Sequence, residues 1–542
     1  MKTFSLIGRF KRSPLKCGLR YALFLLCFAS LGGCDWWARL TGGQPEDVAP
    51  KTEPSLDENR QLLKRGLYLP AFNLSPPQPY DELQLPLWQD LYEGLVRIDK
   101  HGKLQPAAAE SWQRQDDKIW TFHLRPDLRW SNGERLTAQD FVQSWYALAV
   151  QGADNPLSGY LRFMALENVE AVLKKEVGVE MLGIKALDEK TLQLTLSQAV
   201  PYLPQMLAHI ALSPLYQGED NGTLVTNGAY HVLYSGEKAL LLEKNPFYWD
   251  TKNVAFRNVS YSALAAENTD DQAELAALDL FPQVANNADL SRGSSHMRSI
   301  RLPSLCNYYY EFNFRHPQLK QSAVRKALAG MISLPEIVNT LPGSRANAKF
   351  LPRQMQDQEN TDGWSPIIVE QLLAQAGVNS QNPLRLRLGY DQQGIHPQIA
   401  EKLIRMLSQS DLIQIQAEAL TRQQLLERRA NGDFDLIRSG WCADYHDPSA
   451  FFSILHSQSG NNKMAFADPQ VDEWLQKSVE SAVTEAERQQ LYQQLETFIN
   501  QEQLVLPLFQ YYDRYWIKTD LAGYETGNSV IYSQDLYRRV GK

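Results

Sequence analysis

Phe434-Asp435-Leu436-Ile437-Arg438-Ser439-Gly440-Trp441-Cys442-Ala443-Asp444-Tyr445 opens as a short apolar strand, Phe434 to Ile437, and runs out into residues that include a cysteine and a carboxylate. A run this short, bounded by polar residues, has the length of a buried strand rather than a helix. Upstream the pattern alternates. Ser365 to Ala376 has helical spacing and closes at Gly377; Leu384 to Leu388 reads as a strand and Gln398 to Ser408 as a helix. Ile413 to Ala417 is again strand-like and Arg422 to Ala430 helical. Strands interleaved with helices predict an α/β lobe with a mixed, largely parallel sheet.

Downstream, Thr484 to Asn500 predicts a long helix with Leu491, Leu495 and Phe498 on one stripe, and Leu504 to Phe509 a strand running back toward the N-terminal part of the chain. Asn307 to Phe314 is strand-like and aromatic. Earlier still, Ile119 to Leu124 alternates as a half-buried strand does, and Trp130-Ser131-Asn132-Gly133 is a tight turn. Thr137 caps a helix that continues through Val150, with Asp140 placed to complete a capping box. Ile184 to Ser197 reads as a hairpin, Tyr202 to Leu212 as a helix, and the turn at Gly228 leads into strands reaching Leu242. Leu67 to Ile98 mixes short apolar runs with proline turns.

The 542 residues carry 44% hydrophobic and 21% charged side chains and a net charge of −8. A chain this long exceeds one compact core and should divide into two or three lobes. No basic stripe of the kind that neutralises phosphates is present, which argues against nucleic acid as a partner. The 24 Tyr, 20 Phe and 12 Trp fit either core packing or a cleft lined by rings.

Lys11, Arg12, Lys16 and Arg20 precede the apolar run Tyr21 to Ser30, which is too short for a permanent membrane span and has the architecture of a secretory signal. Leu31-Gly32-Gly33-Cys34 resembles the lipobox of bacterial lipoproteins. That resemblance makes residues 1–33 a signal peptide and Cys34 the acylated first residue of the mature chain. Asp35 resembles the signal that keeps such proteins on the inner membrane. Residues 34–60, rich in Gly, Pro and charge, then form a tether. Two of five cysteines fall in the signal and one carries lipid, leaving Cys306 and Cys442. In an oxidising compartment these form either a disulfide, the natural reading, or two buried thiols.

The sequence holds no GxSxG, HExxH, GxxxxGK[ST] or GxGxxG motif and no CxxC or metal-type Cys/His spacing. Asp444, His446 and Asp447 form either a metal or proton-transfer cluster, or a loop with one carboxylate as a counter-ion; the counter-ion reading is favoured. No catalytic residue, cofactor or metal is assigned.

Several stretches resemble the dipeptide/oligopeptide/nickel-binding receptors of bacterial ABC importers, within them the oligopeptide and murein-tripeptide branch. They are DLYEGL from Asp90, KIWTFHLRPDLRWSNGERLTAQDFVQSW from Lys118, VTNGAY from Val225, LEKNPFYWD from Leu242, LCNYYYEFNF from Leu305 and RSGWCADYHDPSAFF from Arg438. The resemblance implies an α/β, periplasmic-binding-protein type II-like fold of three lobes with mixed sheets and a hinged ligand cleft. Lobe I comprises 61–93, 213–305 and 513–542, lobe II 94–212, and lobe III 306–512. Two strands cross between lobes I and III near Leu305 and Tyr511, and Cys306 bridges Cys442.

The implied function is capture of short oligopeptides between closing lobes and delivery to an ABC permease, by a monomer held to the periplasmic side of the inner membrane through Cys34. Asp444 aligns with the receiver of the peptide ammonium. Gly440, Trp441 and Cys442 lie in the strand that adds the peptide backbone to its edge. Arg438, His396 and Arg429 are candidates for the peptide carboxylate, since the Arg fork binds carboxylates bidentately. Tyr309, Tyr310 and Tyr511 are candidate cavity rings. Murein tripeptide, haem or a nickel chelate are alternative ligands, and an exported hydrolase on the same scaffold is an alternative activity. The sequence departs from the family at Leu69 to Pro76, at Leu157 and at Leu280 to Asn287. The first and last of these belong to the family's lobe I ligand edge.

Overall fold

The computed structural model describes residues 61–74, 82–116, 118–152, 155–218, 222–265, 272–284, 296–356, 369–480 and 482–539. The signal and lipid-anchor assignments, Cys34 included, lie outside them.

Eleven strands form one sheet: β1 Leu62–Tyr68, β2 Tyr230–Ser235, β3 Ala239–Lys244, β4 Asn258–Leu264, β5 Leu280–Pro282, β6 Met297–Phe312, β7 Ser344–Ala346, β8 Leu384–Asp391, β9 Ile413–Leu420, β10 Leu436–Cys442 and β11 Val505–Lys518. The order is β9-β8-β10-β6-β11-β5-β1-β4-β3-β2, with β7 also on β11. Only β8–β9, β8–β10, β1–β4 and β1–β5 pair in parallel. In the α/β half, β10–β6, β6–β11 and β7–β11 are antiparallel. The expectation of a largely parallel sheet is therefore corrected to an evenly mixed one, because the two long strands fold back on each other.

Three bodies of core hang on this frame. Leu63, Leu87, Tyr230, Tyr261, Leu302 and Ile517 belong to one, which the two chain ends share. Trp130, Phe141, Trp145, Leu192 and Leu194 anchor a second, built on a separate four-stranded sheet that includes Ile119–Leu124 and Thr191–Thr195. The third lies on both faces of the α/β half: Tyr308, Tyr310, Leu328, Leu388 and Leu403 on one face, Tyr309, Phe451, Tyr492 and Leu495 on the other. β6 and β11 pass from the first core into the third.

Their pairing is interrupted at the crossing. Pro303 pairs with Tyr512 and Asn307 with Gln510, so three residues of β6 bulge out opposite Tyr511. On its other edge β11 pairs with β7 at residues 509–511 and with β5 only from Tyr515. Both irregularities fall at one level of the sheet.

Local signals act as expected. Thr137 and Asp140 form the expected capping box at the start of helix Ala138–Val150; Thr484 and Glu487 form a further one, not read from the sequence, at Glu485–Gln501. The helix expected over 202–212 is reduced to Leu203–Met206 and a turn at Ile210–Leu212. No helix among the described residues is long and apolar enough to cross a membrane.

Candidate ligand-binding site

β10 extends five residues beyond the apolar run that marks it in sequence, to Cys442. Antiparallel register sets Cys306 directly opposite Cys442, and the two form a disulfide. Gly440 faces the β6 backbone so closely that a Cβ would stand 2.8 Å from the Asn307 carbonyl oxygen. Trp441 turns to the opposite side, where its Nε1 donates to the Ala450 carbonyl at 2.8 Å. The Ala443 amide donates to the Leu305 carbonyl at 3.0 Å, prolonging the ladder by one bond. Gly440, Cys442 and Asp444 are exposed at this strand end.

The loop after β10 leans on the separate four-stranded lobe. Tyr445 stacks on Tyr202 at 5.4 Å with the rings 4° apart, and the Tyr160 hydroxyl donates to the Asp444 carbonyl at 3.5 Å. Asp447 has an internal role. It is buried, accepts from Arg488 Nη1 and the Tyr492 hydroxyl at 3.1 Å each, and caps the Ser449 amide at 2.9 Å. This is the counter-ion expected of one carboxylate in that loop.

On the face of β10 that carries Arg438, three of the expected ligand residues, Arg438, His396 and Tyr511, converge with their neighbours. Tyr308 stacks on Phe509 at 4.7 Å and on His396 at 5.6 Å, and its hydroxyl lies 3.2 Å from His396 Nδ1. The Arg438 guanidinium sits 5.2 Å from the Tyr308 ring centre, and Tyr511 completes the group 6.3 Å from Tyr308. Arg438 Nε is buried without a hydrogen-bond partner, a cost a folded protein rarely leaves standing. Burial, reinforced by the Arg438 charge, pushes His396 down to about 4, so its ring is neutral at pH 7.

Three expected ligand residues are corrected to structural ones. Arg429 donates through Nε and Nη2 to both Glu311 oxygens at 2.8 and 2.6 Å, and Ser439 adds a third bond to that carboxylate. Glu311 is 0% exposed, so its charge requires the Arg429 fork in place. Tyr309 packs edge-on to Phe350, and Tyr310 lies on the other face; both are buried in the core rather than at a cavity. They sit on a central strand covered on both sides, where every ring is interior.

Tyr308, which pattern reading overlooked, is the hub of the cluster. The signal was present: a tyrosine between the bridging Cys306 and Tyr310 at the two-residue spacing of one strand face. A cavity of about 820 Å³ opens at the crossing of β11 toward β1, bounded by the end of β1, by Gln283 and Val284 after β5, by Pro342–Gly343 and by residues 512–515 of β11. At that end β1 gives way to an irregular stretch, Leu69 to Leu74, tied down by the Phe72 amide to Glu237 and the Asn73 amide to Gln84.

Known proteins place this arrangement. A Haemophilus influenzae protein whose name specifies no ligand is 39% identical over 501 residues, covering 92% of this chain and 94% of that one. The periplasmic oligopeptide-binding protein OppA of Salmonella typhimurium is 30% identical over 481 residues, covering 83% and 87%. Among solved structures, the unliganded open form of the periplasmic murein tripeptide binding protein MppA superimposes with a TM-score of 0.81 at 26% identity, over 88% of this chain and 97% of that one. Residues 103–463 match family 5 of the bacterial extracellular solute-binding proteins, and the chain belongs to that family.

Proposed function

We propose that this chain captures short peptides between the halves joined by β6 and β11 and delivers them to an ABC permease, binding without turnover. The observation that carries the reading is the exposed end of β10. On the side away from β6 its pairing with β8 stops at Ile437 while the strand runs on to Cys442, which leaves an open edge to which an extended peptide can add as a further strand. Backbone pairing of this kind is indifferent to side chains and suits a receptor for varied sequences. Asp444, at the end of that edge, receives the peptide ammonium. As the lobes close, water leaves and the ammonium needs a fixed counter-charge. Arg438, with its unpartnered Nε, takes a ligand carboxylate, while neutral His396 and the Tyr511 hydroxyl supply uncharged contacts.

The division into lobe I (61–93, 213–305, 513–542), lobe II (94–212) and lobe III (306–512) belongs to this reading, as does action as a monomer. So do the signal peptide, the acylation of Cys34, and residence at the periplasmic face of the inner membrane. Likeness to a murein tripeptide binding protein favours a second reading, that murein peptide is the natural cargo. Native mass spectrometry of the purified chain tests both. Co-purifying peptides are expected, and competition between labelled tri-alanine and murein tripeptide ranks the cargoes. No bound peptide of any length tested would sink the proposal.

A further inference from the structure

A second cavity, of about 560 Å³, lies where β6, β7 and β11 meet, bounded by Arg301, Arg345, Arg353, Ser344, Tyr512 and Thr526. It shares Tyr512 with the larger cavity beside β1. Its charged lining is three arginines and, among the described residues, no carboxylate. A fourth arginine stands close by: Arg301 of β6 is paired directly across the ladder from Arg514 of β11. Like charges in directly opposed positions destabilise a sheet, and burial, reinforced by the Arg301 charge, holds Arg514 below the ordinary arginine range.

Elsewhere in the molecule buried or half-buried guanidinium groups meet carboxylates. Arg97 pairs with Asp535, Arg387 with Asp433 and Asp435, Arg429 with Glu311, Arg488 with Asp447, and Arg538 with Asp279. Arg301, Arg345 and Arg514 join no ion pair among the described residues. The Arg514 Nε instead donates to Gln283 at 3.1 Å. Arg353 is oriented by its own fold, its Nη2 donating to the Ala346 carbonyl at 2.9 Å. The larger cavity carries one acid, Asp513, against Arg65 and Arg514. Among the described residues that line the two cavities, arginines outnumber carboxylates, on strands that both halves share.

We propose that this arginine-lined cavity is a subsite for carboxylate groups of the cargo, so that the receptor selects acidic peptides over neutral ones. The inference rests on the peptide-binding reading above and adds a substrate class to it. The guanidinium forks match carboxylates in geometry as well as charge. Closure at the crossing draws both strands toward the bound anion, which ties selection to the motion that encloses the cargo. Arg301 and Arg345 remain exposed in this open arrangement, so each contact is screened and modest until closure.

Isothermal titration with tri-alanine and with Ala-Glu-Glu tests the subsite in wild type and in the Arg301→Gln/Arg345→Gln double variant. The expected wild-type preference for the acidic peptide is about tenfold at low ionic strength. It should shrink in 0.5 M salt (roughly a 4 Å screening length) and fall to about onefold in the double variant. Equal affinities in wild type, or a ratio the double variant leaves in place, overturns the subsite while the peptide-binding reading stands. Binding of neither peptide overturns that reading itself. Tight binding of free citrate that the double variant abolishes, with no preference between the peptides, overturns the cargo assignment and marks the cavity as a site for a separate anion.

Discussion

The end of β10 and the irregular stretch beyond β1 stand at opposite sides of the same junction, and they are built by different means. β10 is fixed by backbone and covalent contacts: ladder register, the Cys306–Cys442 bridge, and a glycine pressed against the Asn307 carbonyl. Leu69 to Leu74 is held largely by side chains: Leu69 is buried in the first core, Leu74 packs against it, and the Phe72 ring lies edge-on to Tyr261 at 6.4 Å, with the Phe72 and Asn73 amides hydrogen-bonded as well. A wall made of backbone keeps its position whatever its exposed side chains become. A wall made of side-chain contacts can be rewritten with little cost to the fold. The difference explains how the stretch around Gly440 keeps the family's pattern while Leu69 to Pro76 departs from it.

The contrast can be broken at several points. Asp444→Asn should weaken peptide affinity by roughly 3–5 kcal/mol, at least 100-fold, yet shift the unfolding midpoint by only about 1–2 °C because the side chain is exposed. Titration calorimetry beside a melting curve checks both halves, and undiminished affinity would remove Asp444 from the site. Replacing Cys306 and Cys442 together by serine should lower stability by about 2–5 kcal/mol, since the bridge closes a loop of 136 residues. Chemical denaturation measures this, and an unchanged midpoint would mean that the ladder alone fixes β10.

Arg429→Met should cost roughly 3 kcal/mol of stability by stranding the buried Glu311 charge, and adding Glu311→Gln should recover much of it. A single variant that loses affinity but no stability would return Arg429 to the ligand site. The pH dependence follows from the histidines. His209 and His396 are held down to about 4 by burial, and burial also lowers His446. The unfolded chain takes up these protons near the ordinary 6.5 and the folded chain does not. Stability is therefore full above 6.5 and declines as pH falls from there toward 4, with a drop in midpoint of roughly 2–4 °C between pH 7 and 5. A midpoint that rises on acidification contradicts the assignment. The smallest effect belongs to the other wall: Phe72→Ala should change peptide affinity by about 1 kcal/mol or less. A loss as large as that of Asp444→Asn would show that both walls grip the ligand alike.

What sequence conveyed follows the range of the forces involved. The hairpin over Ile184 to Ser197, the Thr137 capping box and the strand Ile119–Leu124 depend on residues a few positions apart, and all are legible in the sequence. β1 was missed because a strand buried from both sides shows no alternation. β6 begins ten residues before its aromatic segment and carries Pro303 within it, which reads as a break. At the site, Arg429 looked like a ligand residue because its partner Glu311 lies 118 positions away. Tyr309 and Tyr310 looked like cavity rings because composition does not distinguish a cleft from a core. The junction of Cys306 and Cys442 was reached by counting, since only two cysteines were left to pair.

The coincidence of the β6 bulge with the change of partner on the other edge of β11, from β7 to β5, gives the eleven-stranded sheet a crease. A sheet resists bending in proportion to the hydrogen bonds that must stretch, and along this line the regular β6–β11 ladder is interrupted. Bending along such a line is the way the proposed closure of the two halves would leave each of them undeformed. Substitutions that heal the crease, by restoring the ladder at residues 303–307, would leave each wall as it is and slow the cycle of capture and release.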